Sequence, residues 1–239
     1  MTKKILAFYF LFCCFFFGFS QYKKLSPTAE ISFITAGPGT VLYEGFGHST
    51  IRVLDKKNDL DLAYNYGIFD FNAPNFYVNF TKGKLLYKLQ SYPFHYFVRS
   101  YANDKRWIKE QVLNLNQSEK QQFFEYLENN AKPENATYFY DPFFNNCATK
   151  LREITEIILN NKVHFNESHI IEKQSFRQLM NLEIPWNSWG SFGINLALGN
   201  KLDAIATAKQ QMYLPDYIQA GFKEATILHN NKKEHLIKE

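Results

Sequence analysis

The order of strand-like and helix-like segments constrains this fold more than any other feature of the sequence. Short β-rich stretches come first, bounded by turn residues such as Gly37-Pro38-Gly39. These stretches are EISFITA (30–36), HSTIRVL (48–54), LAYNYGIFDF (62–71), KLLYKLQSY (84–92) and RWIKEQVLNL (106–115). Periodic helical segments follow them. Strands grouped ahead of helices predict an α+β domain whose mixed or antiparallel sheet packs on helices.

Two helical segments carry clear signals. NQSEKQQFFEYLENNA (116–131) has Glu119 three positions after Asn116, as in a capping box. CATKLREITEIILNN (147–161) repeats apolar residues at helical spacing, which predicts a stripe facing the core. That stripe consists of Leu151, Ile154, Ile157 and Ile158. The sheet is therefore expected to pack against the helix that begins at Cys147.

The first twenty residues are typical of a secretory signal peptide. Lys3 and Lys4 precede an apolar stretch at 5–19, and the small residue Ser20 follows it. A membrane-spanning helix needs about 20 apolar residues, so cleavage near Ser20 is favoured over a retained anchor. We expect the mature protein to be exported to the periplasm.

The rest of the chain shows no internal domain boundary. One domain is predicted over residues 21–225, followed by a polar C-terminal tail at 226–239 that is expected to fray. The chain from residue 21 carries 25 basic and 23 acidic residues, and no basic run alternates with aromatic residues. This weak charge argues against a nucleic-acid partner. The histidines have no metal-ligand spacing, so neither a metal nor a cofactor is expected.

Cys147 is the only cysteine left once the signal peptide is removed. Exported proteins usually pair their cysteines, so a single one indicates either pairing between molecules or a working thiol. Asn145 and Asn146 can cap the helix that follows, which places the thiol in its first turn. The helix dipole there favours the thiolate. The alternative is a small residue buried in the core.

His48 follows Gly45-Phe46-Gly47 and opens a predicted strand. Its ordinary pKa suits a general base, although a structural histidine is the alternative. A thiol at a helix start that faces an imidazole on a strand is the papain-like arrangement, in which the base activates the nucleophile. Here the histidine precedes the cysteine, the reverse of the usual papain order.

Several ordered motifs resemble one known family. They are GPGTVLYEGFGHSTIRV, YNYGIFDF, NFYVNFTKGKLLY, FFNNCATKLRE, NSWGSFGINLALG and MYLPDYI, which together cover about residues 25 to 225. The chain is similar to the Lnb-type N-terminal periplasmic domain family. This resemblance implies a circularly permuted papain-like fold of the NlpC type, with a catalytic Cys–His pair at Cys147 and His48.

The resemblance also implies a third residue that orients the histidine. It would come from the strand after His48, and we select Asn65, with Tyr64, Tyr66 and Asp70 as competitors. The backbone N–H of Cys147 and a side chain such as that of Asn145 would stabilise an oxyanion.

The implied activity is that of lipoprotein N-acyltransferases. Cys147 would take an acyl chain from a phospholipid as a thioester and pass it to the α-amine of a lipoprotein acceptor. The larger family members carry transmembrane helices after this domain, whereas this sequence ends at Glu239 without one. The alternatives are a truncated paralogue without the full acyltransferase function, contact with lipid through aromatic loops, and a membrane-embedded partner that replaces the missing helices.

Trp189, in NSWGSFG, is the predicted lining of a substrate groove, with a structural turn as the alternative. Two other functions compete with acyl transfer. One is a thiol amidase or peptidase acting on peptidoglycan or peptide amides. The other is a catalytically idle binding domain that has kept the fold.

Overall fold

The computed structural model describes residues 22–238 except positions 71, 73, 83, 168, 169, 171 and 186. The predicted signal peptide at 1–20 lies outside the described residues. The described chain contains antiparallel sheets and helices, which confirms the α+β class.

The strands of the described chain form two sheets, and every pairing in them is antiparallel. The larger sheet has the order β5-β1-β2-β3-β4-β6, and the smaller has the order β7-β8-β9. The strands are β1 (Glu30–Ala36), β2 (His48–Asp55), β3 (Leu60–Ile68), β4 (Leu86–Pro93), β5 (Ile108–Val112), β6 (Thr137–Phe139), β7 (Val163–His164), β8 (Thr226–His229) and β9 (Lys232–His235).

Along the chain, all the helices of the described residues lie between these strands. They are α1 (Phe76–Thr81), α2 (Phe94–Asn103), α3 (Gln117–Asn130), α4 (Cys147–Leu159), α5 (Phe176–Glu183), α6 (Trp189–Leu198), α7 (Ala208–Gln211) and α8 (Pro215–Glu224). Short 3₁₀ helices span Leu42–Glu44, Lys56–Asn58, Asn160–Lys162 and Gly199–Asp203.

Both faces of the larger sheet are covered. Alternate residues of a strand point to opposite faces, so Phe33 belongs to the cluster that includes α3, α4 and α8, whereas Ile34 packs with Phe97 of α2. Phe33 meets Phe222 of α8 edge to face, with ring centroids 4.5 Å apart. This arrangement fixes α4 against the central strands β2 and β3, one of which opens with His48.

The two predicted helical segments form as expected, with one correction. Asn116 and Glu119 make the predicted capping box of α3. In α4, Leu151 and Ile154 are buried, but the side chain of Ile157 is 51% exposed. Its inclusion in the core stripe was wrong, because Ile157 lies six positions after Leu151 and its side chain therefore points about 120° away around the helix.

The C-terminal segment is not the frayed tail that its polar composition suggested. Residues 226–235 form the hairpin of β8 and β9, and Ile227 and Leu236 are fully buried. The backbone N–H of Asn114 donates to the carbonyl of Leu236, and that of Lys238 donates to the carbonyl of Val112. The expectation was wrong because two apolar residues within a charged segment are enough to anchor it.

Candidate active site

Cys147 is the first residue of α4, and the preceding loop holds it there. Asn146 is the N-cap: its side-chain oxygen accepts from the backbone N–H of Thr149, and the Thr149 hydroxyl accepts from the backbone N–H of Asn146. The Asn146 amide also donates to the carbonyls of Pro142 and Tyr213, at 2.8 and 2.9 Å. The thiol therefore sits at a rigid helix start, where unpaired N–H groups favour negative charge.

His48 opens β2 opposite Ala36 of β1. Gly47 precedes it with a φ of +72°, and a Cβ at that position would lie 2.8 Å from the carbonyl oxygen of Ala36. Only glycine suits this combination of positive φ and close approach. The sharp entry into β2 aims the imidazole at the end of the sheet, where α4 begins.

The structure places the Cys147 thiol close to the His48 imidazole, near enough for each group to shift the pKa of the other. Both residues are half-buried, so the site keeps access to solvent. Burial raises the pKa of Cys147, but the nearby His48 imidazole outweighs this effect, and the pKa of the thiol is lowered. The neighbouring backbone N–H groups of Ser49 and Ala148 also lower the pKa of the thiol.

The imidazole shows the matching change. Burial lowers the pKa of His48, but the nearby Cys147 thiolate outweighs it, and the pKa of His48 is raised. A lowered thiol pKa beside a raised imidazole pKa favours a thiolate–imidazolium pair. The geometry therefore supplies an ionised nucleophile and an adjacent proton donor.

Asn65 on β3 contacts the other side of the ring. Its Oδ1 lies 2.6 Å from Nε2 of His48, which leaves Nδ1 of the ring available to the thiol. The Asn65 amide donates to the Tyr92 hydroxyl at 2.8 Å, so the asparagine is itself held in place. Of the competing residues, the Tyr64 hydroxyl donates instead to Glu128, and the buried Tyr66 hydroxyl has no partner in the described chain.

Tyr101 and Arg106 support the histidine from the side of α2, and sequence reasoning missed both. The ring of Tyr101 stacks on that of His48, with an interplanar angle of 11°. The guanidinium of Arg106 lies 4.4 Å from the centre of the Tyr101 ring, and its Nε donates to the Gly37 carbonyl at 2.7 Å. Arg106 also lowers the pKa of His48, which opposes the larger effect of the thiolate. No local pattern marks these residues, since their role depends on the packing of α2.

Gly67 lets β3 pass close to His48 and Cys147. The pairing of β3 with β4 shifts register between Asn65 and Ile68, and Gly67 has a φ of +101° within this bulge. A Cβ on Gly67 would lie 3.7 Å from Cε1 of His48 and 4.0 Å from Cβ of Cys147. Sequence reasoning missed this residue, although a lone glycine in a strand pattern is a signal for a bulge.

We expect Gly67→Ala to slow alkylation of Cys147 by iodoacetamide by about tenfold and to lower the free energy of unfolding by roughly 1–3 kcal/mol. An L-residue is strained at this φ, so the bulge must move against the pair. The matched control is Gly193→Ala, because a Cβ there would meet no atom within 4 Å. Equal alkylation rates for the two variants would contradict this role for Gly67.

Two tyrosines, Tyr87 and Tyr140, lie near the thiol. The rings of Tyr87 and Tyr140 stack with centroids 4.1 Å apart. Burial, together with the neighbouring Cys147, raises the pKa of Tyr87 to about 12 and that of Tyr140 well above 10. These hydroxyls therefore stay protonated and can act as hydrogen-bond donors.

The two predicted substrate-binding residues lie outside these contacts. The Asn145 amide donates to the carbonyl of Phe139 at 2.6 Å, closing the loop before α4. Trp189 opens α6 with 88% of its side chain exposed. Neither makes a described contact with His48 or Cys147, and their roles in substrate binding stay predictions.

A cavity of about 500 Å³ lies elsewhere, lined in part by Asn160, His164 and Met212. Asn160 follows the C-terminus of α4, and a 13-residue helix separates it from Cys147 by roughly 20 Å. Its lining reaches along α4 to Arg152 but includes neither Cys147 nor His48, so the cavity is separate from the thiol. No group of three or more His, Cys, Asp or Glu side chains suited to a metal ion occurs in the described part of the chain, and His169 lies outside it.

Comparison with known families agrees with the motifs around the pair. The family model of the Lnb N-terminal periplasmic domain matches residues 19–182, more than half of the chain and both members of the pair. The chain belongs to the Lnb N-terminal periplasmic domain family. Neither a curated protein nor a solved structure matches it.

Membership of the Lnb N-terminal family supports a periplasmic location. The matched range ends at residue 182, so it excludes the motifs NSWGSFGINLALG and MYLPDYI on which the resemblance also drew. Within the described residues, no helix combines the length and apolar character needed to span a bilayer.

Proposed function

We propose that this Lnb-family domain is a cysteine-dependent acyltransferase of the lipoprotein N-acylation type, built on a permuted papain-like fold and acting at the periplasmic membrane face. The observation that carries the proposal is the imidazole of His48 between its two partners, Cys147 and Asn65, with Asn65 Oδ1 2.6 Å from Nε2. Nucleophile, base and orienting group in one contact chain are the parts that thiol acyl transfer requires.

In the first half-reaction, the Cys147 thiolate attacks an ester carbonyl of a phospholipid. The C–O bond to the glycerol backbone breaks as the C–S bond forms, and the leaving lysophospholipid oxygen takes a proton from the His48 imidazolium. The backbone N–H of Cys147 makes no hydrogen bond in the described structure and is available to the developing oxyanion.

In the second half-reaction, the α-amine of a diacylglyceryl-cysteine lipoprotein attacks the thioester. Neutral His48 accepts the amine proton as the C–N bond forms, and the C–S bond breaks to regenerate the thiolate. A thioester suits this exchange because it keeps the acyl group reactive towards an amine.

The test is direct detection of the acyl-enzyme. Residues 21–239 are incubated with radiolabelled phosphatidylethanolamine in detergent micelles, and we expect a hydroxylamine-sensitive label on Cys147, mapped by mass spectrometry. A diacylglyceryl-cysteine peptide should then remove the label and become N-acylated. Cys147→Ser is the control and should remain unlabelled.

Two results would overturn the proposal. Release of peptides from cell-wall fragments without any label would identify a thiol amidase. A thiol that reacts with neither phospholipid nor iodoacetamide would identify an idle binding domain.

A further inference from the structure

Helix α6 exposes its apolar side to solvent. The exposed fractions of Trp189, Phe192 and Leu196 are 88%, 60% and 71%, and their spacing places them on one face. Ser191 is the most buried residue of this helix at 2% exposed, and Ile194 and Leu198 pack against the neighbouring core cluster. The helix is therefore apolar on both sides, and its outer face leaves large apolar side chains where a water-soluble protein normally places polar ones.

Hydrogen bonds on the buried side fix this orientation. The Ser188 hydroxyl caps α6 by accepting from the backbone N–H of Ser191 at 3.1 Å. Asn195 donates to the carbonyl of Ser191 and accepts from the guanidinium of Arg177. Arg177 also donates to the carbonyl of Gly199 at 2.7 Å. Rotating the helix to bury Trp189, Phe192 and Leu196 would break the bonds from Arg177 of α5 and unpack Ile194 and Leu198 from the core, so the exposure is built into the fold.

The exposed face continues towards the thiol. A Cβ on Gly190 would lie 2.7 Å from the methyl carbons of Leu42, so the loop before β2 packs directly on α6. Val41 and Leu42 are themselves 46% and 41% exposed. The same loop leads through Gly47 to His48. We call Val41, Leu42, Trp189, Phe192 and Leu196 the apolar rim.

The charge pattern indicates a lipid surface as the occupant of the apolar rim. Residues 184–200 contain no Asp, Glu, Lys or Arg. The exposed Lys201 follows directly and makes no ion pair with the described residues. An uncharged apolar face with an exposed tryptophan and a basic residue at its edge is the pattern of helices that lie in the bilayer interface.

We infer that α6 and the loop before β2 dock on the phospholipid bilayer through the apolar rim, which places the Cys147 site at the headgroup level. This inference deepens the proposed function, since an acyl donor held in a bilayer must reach the thiol. It assigns to the folded domain itself a membrane-binding surface.

The test measures binding to vesicles. Residues 21–239, which contain every described element, are mixed with 100 nm vesicles of phosphatidylethanolamine and phosphatidylglycerol and separated by flotation. Using the Cys147→Ser chain removes any contribution from chemistry. We expect Phe192→Ser and Leu196→Ser each to weaken binding by about tenfold, because each removes an apolar side chain from hydrocarbon.

A double variant at other exposed apolar positions is the matched control. Ile157 and Leu228 are 51% and 42% exposed and lie on α4 and β8, so changing both to serine should leave flotation unchanged. Circular dichroism of each variant, with iodoacetamide alkylation of its Cys147-containing counterpart, verifies folding.

Three outcomes would overturn the inference. The first is no flotation of the parent chain, and the second is equal loss in the control. The third is dimerisation without vesicles that Phe192→Ser abolishes, which would identify a second copy as the occupant. Failure of the proposed chemistry is separate: flotation with no acyl adduct on Cys147 leaves the docking surface intact. If Cys147 forms an adduct with a water-soluble short-chain ester but the protein does not float with vesicles, the docking inference is contradicted and the proposed chemistry is not.

Discussion

His48→Asn is expected to slow alkylation of Cys147 by iodoacetamide at pH 6 by about two orders of magnitude. In the native protein the pKa of Cys147 is lowered, mainly by His48. The thiolate therefore persists as the pH falls, and it is lost only below that lowered pKa. Without the imidazolium, the thiol pKa moves back up, and each unit of that rise removes nine-tenths of the thiolate at lower pH.

The measurement is the alkylation rate between pH 5 and 10 for the two chains. The rate of the variant should rise at a higher pH than that of the native protein, and the two should converge once both thiols are ionised. His95→Asn is the matched control, since His95 is an exposed histidine on α2 and should leave the profile unchanged. Superimposable profiles for the native protein and His48→Asn would show that the pair does not ionise the thiol.

Deletion of residues 226–239 is expected to lower the free energy of unfolding by about 3–6 kcal/mol, from the loss of buried Ile227 and Leu236 alone. It also removes His229, whose Nε2 lies 2.9 Å from the buried carboxylate of Glu119. The free energy of unfolding of a folded domain is typically only 5–15 kcal/mol, so this deletion removes a large share of it. Urea denaturation followed by circular dichroism measures it.

A milder variant keeps this prediction testable if the deleted chain does not fold. Leu236→Ala should cost about 2–5 kcal/mol, whereas Lys233→Ala, on an exposed position of β9, should stay within about 0.5 kcal/mol. If both substitutions had the same small effect, the segment would be the frayed tail that its composition suggested.

Local patterns in the sequence were enough to place most elements. The capping box of Asn116 and Glu119, the strand at His48 and the helix start at Cys147 all appear as predicted. Such features depend on residues only a few positions apart. Helical periodicity wrongly placed Ile157 in the core. It shows which face of a helix is apolar, but not how much of that face the rest of the protein covers.

The residues that surround the Cys147–His48 pair had weak sequence signals or none. Gly67 had a sequence signal that was not used, whereas the contact of Arg106 with Tyr101 depends on how α2 packs over the sheet. The orientation of α6 was equally out of reach. An apolar helical sequence is expected to face the core, whereas the bonds from Arg177 to Asn195 and Gly199 and the packing of Ile194 and Leu198 leave Trp189, Phe192 and Leu196 facing outward.

The amino-acid sequence alone was sufficient to specify the α+β class, the identity of most strands and helices, and a thiol at a capped helix start. These properties arise from interactions between near neighbours along the chain. The meeting of His48 with Cys147, the anchoring of the C-terminal hairpin and the exposed apolar rim follow from the folded arrangement. Each depends on contacts between segments far apart in sequence, whose geometry no local pattern encodes.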